Sequence, residues 1–121
     1  MKKNVLVIED DENIARAHEM ILSEDFNVHV AEDGEKGLAK AKEIKPDLVI
    51  LDLMLPKIHG IDVCKSIKSD EGMKNTKVVM VTAKDQPKDE LKGMDTGADD
   101  YIMKPFEADE LKHVINQVLE K

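Results

Sequence analysis

Four apolar runs of this 121-residue chain end in a side chain able to do chemistry. Val5-Leu6-Val7-Ile8 runs into Glu9 and Asp10, and Leu48-Val49-Ile50-Leu51 runs into Asp52. Val78-Val79-Met80-Val81 runs into Thr82, and Tyr101-Ile102-Met103 runs into Lys104. Brought together, three carboxylates cannot all stay ionised without compensation. A hard divalent cation resolves the repulsion. Mg²⁺, with Mn²⁺ as an alternative, takes oxygen ligands, keeps several waters and typically uses one or two carboxylates plus a substrate phosphate. Lys104 adds a fixed positive charge and Thr82 a hydroxyl donor. An anion arriving there would sit between metal, Lys104 and Thr82, and a phosphoryl group has the right charge and oxygen count. Asp52 is then placed as a nucleophile that forms an aspartyl phosphate. Such a transfer needs mainly alignment and charge neutralisation.

The elements that must position these groups follow from hydrophobic period. Residues 4–8, 48–51 and 78–81 read as strands buried on both faces, whereas 28–31 alternates as a half-exposed strand and 101–103 is short. Between them run helical patterns. One carries Ile14, Ala17, Ile21 and Leu22; a second spans about 35–44, with Leu38, Ala41 and Ile44 inward and Pro46 ending it. A third lies around Cys64, a fourth follows Pro87 with Leu91 and Met94 inward, and the last carries Leu111, Val114, Ile115, Val118 and Leu119. This predicts an α/β fold: a (βα)5 doubly wound three-layer sandwich around a central five-stranded parallel sheet. Apolar strands belong at its centre and the second and fifth at its edges, which gives the flavodoxin-like order 2-1-3-4-5. Winding reverses between strands one and three, so a crevice opens at their carboxyl ends. Asp11 and Glu12 are expected to begin the first helix, where negative charge suits the dipole. Asp47, Asp85 and Asp109 read as turn or cap residues.

Composition bounds the remainder. Residues 1–121 suit one domain. A net charge of -8 with no basic patch argues against direct nucleic-acid binding. Phe26, Phe106 and Tyr101 are the only aromatics apart from histidine, too few for a stacking platform. Cys64 is the sole cysteine, expected in the core, and no internal disulfide can form. No signal peptide or membrane span is visible, so a cytoplasmic location is expected. His18, His29, His59 and His113 form no spaced metal cluster and read as surface or partly packed residues.

The chain resembles the receiver domains of two-component response regulators, of which the chemotaxis signalling protein is one form. VLVIEDD is similar to that family's first-strand acid pair, and LVILDLMLPKIHG to its phosphoacceptor segment. VMVTA is similar to its fourth-strand Thr followed by a small residue, and GADDYIMKPF to its fifth-strand segment ending in Lys-Pro. The resemblance covers essentially the whole chain and implies a phosphorelay switch. Asp52 would accept the phosphoryl group. Asp10, Asp52 and the backbone carbonyl of Met54 would ligate Mg²⁺, with Glu9 holding it mainly through water. Thr82 and Lys104 would contact phosphoryl oxygens, beside the small Ala83, and the Lys104-Pro105 bond would be cis. Thr82 and Tyr101 would couple phosphorylation to the surface of the fourth helix, fifth strand and fifth helix. Met54 and Lys84 would flank the path of hydrolytic water and lengthen the phosphate's life. The implied partners are a sensor histidine kinase or phosphotransfer protein, and a downstream effector or output domain.

Three rival readings share parts of this pattern. A phosphatase of the haloacid dehalogenase class needs a second Asp two residues after its nucleophile, where this chain has Met54, so no turnover of external substrates is expected. A flavin module needs a hydroxyl- and glycine-rich loop after strand one, where this chain has EDDEN. The third reading lies inside the family: the receiver half of a DNA-binding regulator whose output domain is absent from this chain. Lys92, Asp99, Asp100 and Glu110 fit the charge pattern of that subfamily's symmetric dimer and Val114 departs from it. The expectation is a monomer or a phosphorylation-dependent dimer.

Overall fold

The computed structural model describes residues 2–53, 55, 59–82, 97–104 and 106–120. Strands β1 (Asn4–Ile8), β2 (Asn27–Ala31), β3 (Leu48–Asp52), β4 (Lys77–Thr82) and β5 (Asp100–Met103) form one sheet. All pairings are parallel and the order is β2-β1-β3-β4-β5, as the distribution of apolar runs predicts. The α-helices among the described residues are α1 (Glu12–Leu22), α2 (Gly34–Ile44), α3 (Gly60–Ser69) and a C-terminal helix, Ala108–Glu120, with one 3-10 turn at Glu71–Met73. The expected fourth helix, with Leu91 and Met94, lies outside the described residues, as do Met54, Ala83, Lys84, Asp85, Lys92 and Pro105.

The two faces of the sheet carry separate cores, because successive side chains of a strand point to opposite sides. Leu6, Ile8, Val49, Leu51, Val78, Met80 and Tyr101 pack with Ala41, Val63, Cys64 and Ile67, under α2 and α3. Val5, Val7, Leu48, Ile50, Val79, Val81 and Ile102 pack with Leu22, Leu111, Ile115 and Val118, under α1 and the C-terminal helix. Burial of this apolar area is the main stabilising term. Cys64 is fully buried in the core, as expected, and burial pushes its thiol up to about 11.

Caps fix where helices begin. Asp11 caps α1, its Oδ1 accepting from the backbone N–H of Asn13 at 2.9 Å and Ile14 at 3.2 Å. Asp33 caps α2 through Lys36 N–H at 2.7 Å. Asp47 accepts from Asn4 N–H at 2.8 Å and so ties the starts of β1 and β3; Asp109 stands in the first turn of the C-terminal helix.

Two expectations for α1 need correction. Ala17 is exposed and Ile14 and Ile21 are only partly buried; the residues turned fully inward are Ala15, His18 and Leu22. The inward stripe is rotated relative to the aliphatic one because His18, read as a surface or partly packed residue, takes a buried position with 3% exposure. Asp99 is held within the chain: its Oδ2 accepts from Lys68 Nζ at 2.6 Å and Val78 N–H at 2.7 Å.

Candidate functional site

The site stands on strand ends. The last residue pair between β1 and β3 is Ile8 with Leu51, so Glu9 and Asp52 come next on adjacent strands. The last pair between β4 and β5 is Thr82 with Met103, so Lys104 follows directly, its N–H donating to the Thr82 carbonyl at 2.8 Å. Glu9 is anchored by its own N–H to the Ala31 carbonyl at 3.0 Å, and Leu53 by its N–H to the Val81 carbonyl at 3.0 Å. Rigid ladder bonds therefore set the positions of Glu9, Asp52, Thr82 and Lys104.

At the floor of the crevice Lys104 Nζ lies 3.0 Å from Asp52 Oδ2 and 3.1 Å from Glu9 Oε1. Glu9 and Asp52 are buried, whereas Asp10 is exposed. One oxygen from each of Glu9, Asp10 and Asp52 lies within 4.8 Å of the others. Burial, then the Asp52 carboxylate beside it, pushes Glu9 up to about 7, against the opposing pull of the Asp11 N–H and Lys104. Burial works against the charge on Lys104, but Asp52 and Glu9 outweigh it, and its ammonium is held above its ordinary range. Thr82 Oγ1 is buried with no hydrogen-bond partner among the described residues.

A divalent cation fits this donor set. Glu9, Asp10 and Asp52 each offer a hard carboxylate oxygen within 4.8 Å of the others, and the Lys104 ammonium reaches two of the three, Glu9 and Asp52. The orphaned Thr82 hydroxyl calls in turn for an oxygen acceptor.

A family model, response regulator receiver domain, matches residues 5–116. The chain belongs to the response regulator receiver family. This receiver domain is 42% identical over 119 residues to the response regulator ArlR of Staphylococcus haemolyticus, covering 98% of this chain and 53% of that one. It thus spans about half the length of the curated relatives it matches. Among solved structures, the chemotaxis response regulator CheY4 of Vibrio cholerae superposes with a TM-score of 0.90 at 27% identity, over 98% of this chain and 99% of that one. NtrX of Brucella abortus superposes with a TM-score of 0.86 at 31% identity, over 99% of this chain but 26% of that one. The receiver domain is therefore a module of two-component signalling with the fold that the alternation of strands and helices predicts.

The geometry brings together five residues singled out in sequence: Glu9, Asp10, Asp52, Thr82 and Lys104. Tyr101, two strand positions from Met103, is buried with 6% exposure in the core under α2 and α3. Sequence reasoning missed two features. His18 stacks on Phe106 beside Lys104, and Lys68 with Asp99 clips α3 to the approach of β5. Residues 14, 18 and 21 share the i, i+4, i+7 face of α1, which groups His18 with two isoleucines without showing that its ring is buried.

Proposed function

We propose that this receiver domain is a phosphoacceptor switch in which Asp52 takes a phosphoryl group from a phosphohistidine donor. The convergence of Glu9, Asp10 and Asp52 on one rim with the Lys104 ammonium supports the reading most strongly. An Asp52 carboxylate oxygen bonds to phosphorus as the bond to the donor breaks, and the donor leaves with the electron pair. Lys104 and Thr82 receive the phosphoryl oxygens, the first as a fixed charge and the second as a donor now lacking a partner among the described residues. Asp10, Asp52 and the Met54 carbonyl would hold Mg²⁺, with Glu9 reaching it through water. When bound, the ion neutralises charge on the phosphoryl oxygens and the carboxylates together.

The output is a population shift. Thr82 follows the phosphoryl group, Tyr101 occupies the inward position, and the surface around β5 and the C-terminal helix changes for a partner or output domain. Met54 and Lys84 would set the phosphate's lifetime, and the Lys104-Pro105 bond would be cis, as the resemblance implies. We read residues 1–121 as a single receiver domain, either self-standing or the N-terminal part of a longer DNA-binding regulator. The partners are a sensor histidine kinase or phosphotransfer protein and an effector. Turnover is confined to self-phosphorylation and self-dephosphorylation. A cytoplasmic location is part of this proposal; no described helix is long and apolar enough to cross a membrane. Incubation with acetyl phosphate and Mg²⁺ should label the wild type and not Asp52→Asn, and chelation should abolish labelling; equal labelling of the variant overturns the reading.

A further inference from the structure

We propose that His18 is a positioning residue for Lys104, acting through a ring stack on Phe106. The consequence for phosphorylation rests on the phosphoacceptor reading, whereas the stack stands on geometry alone. His18 sits in the middle of α1 with 3% exposure. Its ring centroid lies 5.4 Å from that of Phe106, with the planes inclined by 25°, within the range of an attractive offset stack. Phe106 follows Lys104 by two residues. The Lys104 N–H is fixed to the Thr82 carbonyl at 2.8 Å. The chain leaving β5 is thus pinned by the sheet on one side of the lysine and by α1 on the other. His18, Phe106 and Lys104 line one groove of about 370 Å³ together with Asn13, Ile14 and Ile21.

His18 Nδ1 is buried and makes no hydrogen bond among the described residues. Packing, not hydrogen bonding, therefore holds the ring. The ring's place against Phe106 is what it contributes to the site. The ring is also neutral. Burial lowers its proton affinity, Lys104 lowers it further and Asp52 partly restores it, leaving it at about 4. An imidazolium there would repel the Lys104 ammonium and draw on Asp52, the two charged groups that bear on it. A neutral stacked ring leaves the lysine directed at Glu9 and Asp52.

Four variants of the whole 121-residue chain test this: His18→Ala, His18→Phe, Phe106→Leu, and His18→Ala combined with Lys104→Ala. Two readouts are taken at a temperature where each is folded by circular dichroism. One is the Lys104 side-chain NMR resonance and its titration without metal; the other is the initial rate of acetyl phosphate labelling with Mg²⁺. His18→Ala and Phe106→Leu should move the Lys104 resonance and titration toward those of an exposed lysine and slow labelling at least about threefold. His18→Phe should restore both, and His18→Ala should add nothing once Lys104 is removed. An unmoved Lys104 resonance in both stack-breaking variants overturns the proposal, as does failure of His18→Phe to rescue. If the wild type is not labelled, the phosphoacceptor reading fails, and the metal-free Lys104 resonance still decides the stack.

Discussion

Lys104 Nζ lies 3.0 Å from Asp52 Oδ2, joining the end of β5 to the end of β3 across the intervening β4. The same ammonium reaches Glu9 at 3.1 Å, so one lysine compensates two buried carboxylates. A metal held by Asp10 and Asp52 would therefore draw on the Asp52 carboxylate that Lys104 also holds. Lys104→Ala should bind Mg²⁺ more tightly than wild type in calorimetric titration, by up to about tenfold, yet be labelled more slowly by a small phosphodonor. Weaker metal binding in the variant would contradict the competition.

Metal should stabilise the fold. A cation bound only by the folded chain adds free energy that grows with its concentration over Kd, about 2.7 kcal/mol at a hundredfold excess. Thermal melts with Mg²⁺ should show a rise in Tm that is lost in Asp10→Asn, because Asp10 is the exposed member of the triad and has least to do with packing.

Two groups give stability opposite slopes with pH. Glu9 is raised from 4.5 to about 7, so its contribution is present in full below pH 4.5 and is lost as pH rises through 7. His18 is lowered from 6.5 to about 4, so its contribution is present above pH 6.5 and is lost as pH falls through 4. Urea midpoints measured without metal should lose the decline toward pH 7 in Glu9→Gln. They should lose part of the decline on acidification in His18→Phe. Each difference should be on the order of 2 kcal/mol across its window.

Gly60 opens α3 directly against the backbone of Asp52 and Leu53. A Cβ there would stand 2.6 Å from the Asp52 carbonyl oxygen and 2.8 Å from the Leu53 backbone, neither of which can swing aside. Gly60→Ala should destabilise the chain by about 1–3 kcal/mol and slow labelling of Asp52, read from urea unfolding and initial rates on the same sample.

Lys45 ends α2 in the left-handed region at φ 47°, where its N–H still donates to the Ala41 carbonyl at 2.8 Å. Glycine carries no Cβ penalty there. Lys45→Gly should raise stability by about 1 kcal/mol with labelling unchanged.

Much of the molecule was legible because period and strand-end chemistry coincide. Val5 to Ile8 and Leu48 to Leu51 are apolar throughout since both faces of a central parallel strand are buried, and that same placement puts Glu9 and Asp52 side by side. The burial of His18 was not legible: an amphipathic pattern shows which residues share a face, not which way the helix rolls when Phe106 arrives from a distant part of the chain. Nor was the pairing of Lys68 with Asp99, since a charged side chain in sequence looks the same whether solvent or a buried partner receives it. Glu9 shows the limit from the other side. Its presence on the rim was readable, but its direct contact with Lys104 arises from the spacing of three strands.

The central claim is that Asp52 carries the phosphoryl group. Borohydride trapping of the acyl phosphate after acetyl phosphate and Mg²⁺ treatment, followed by peptide mass spectrometry, locates it directly. Reduction confined to Asp52 is the expected result. Reduction at Asp10 or another carboxylate, or no trapped product under conditions that occupy the metal site, would contradict it.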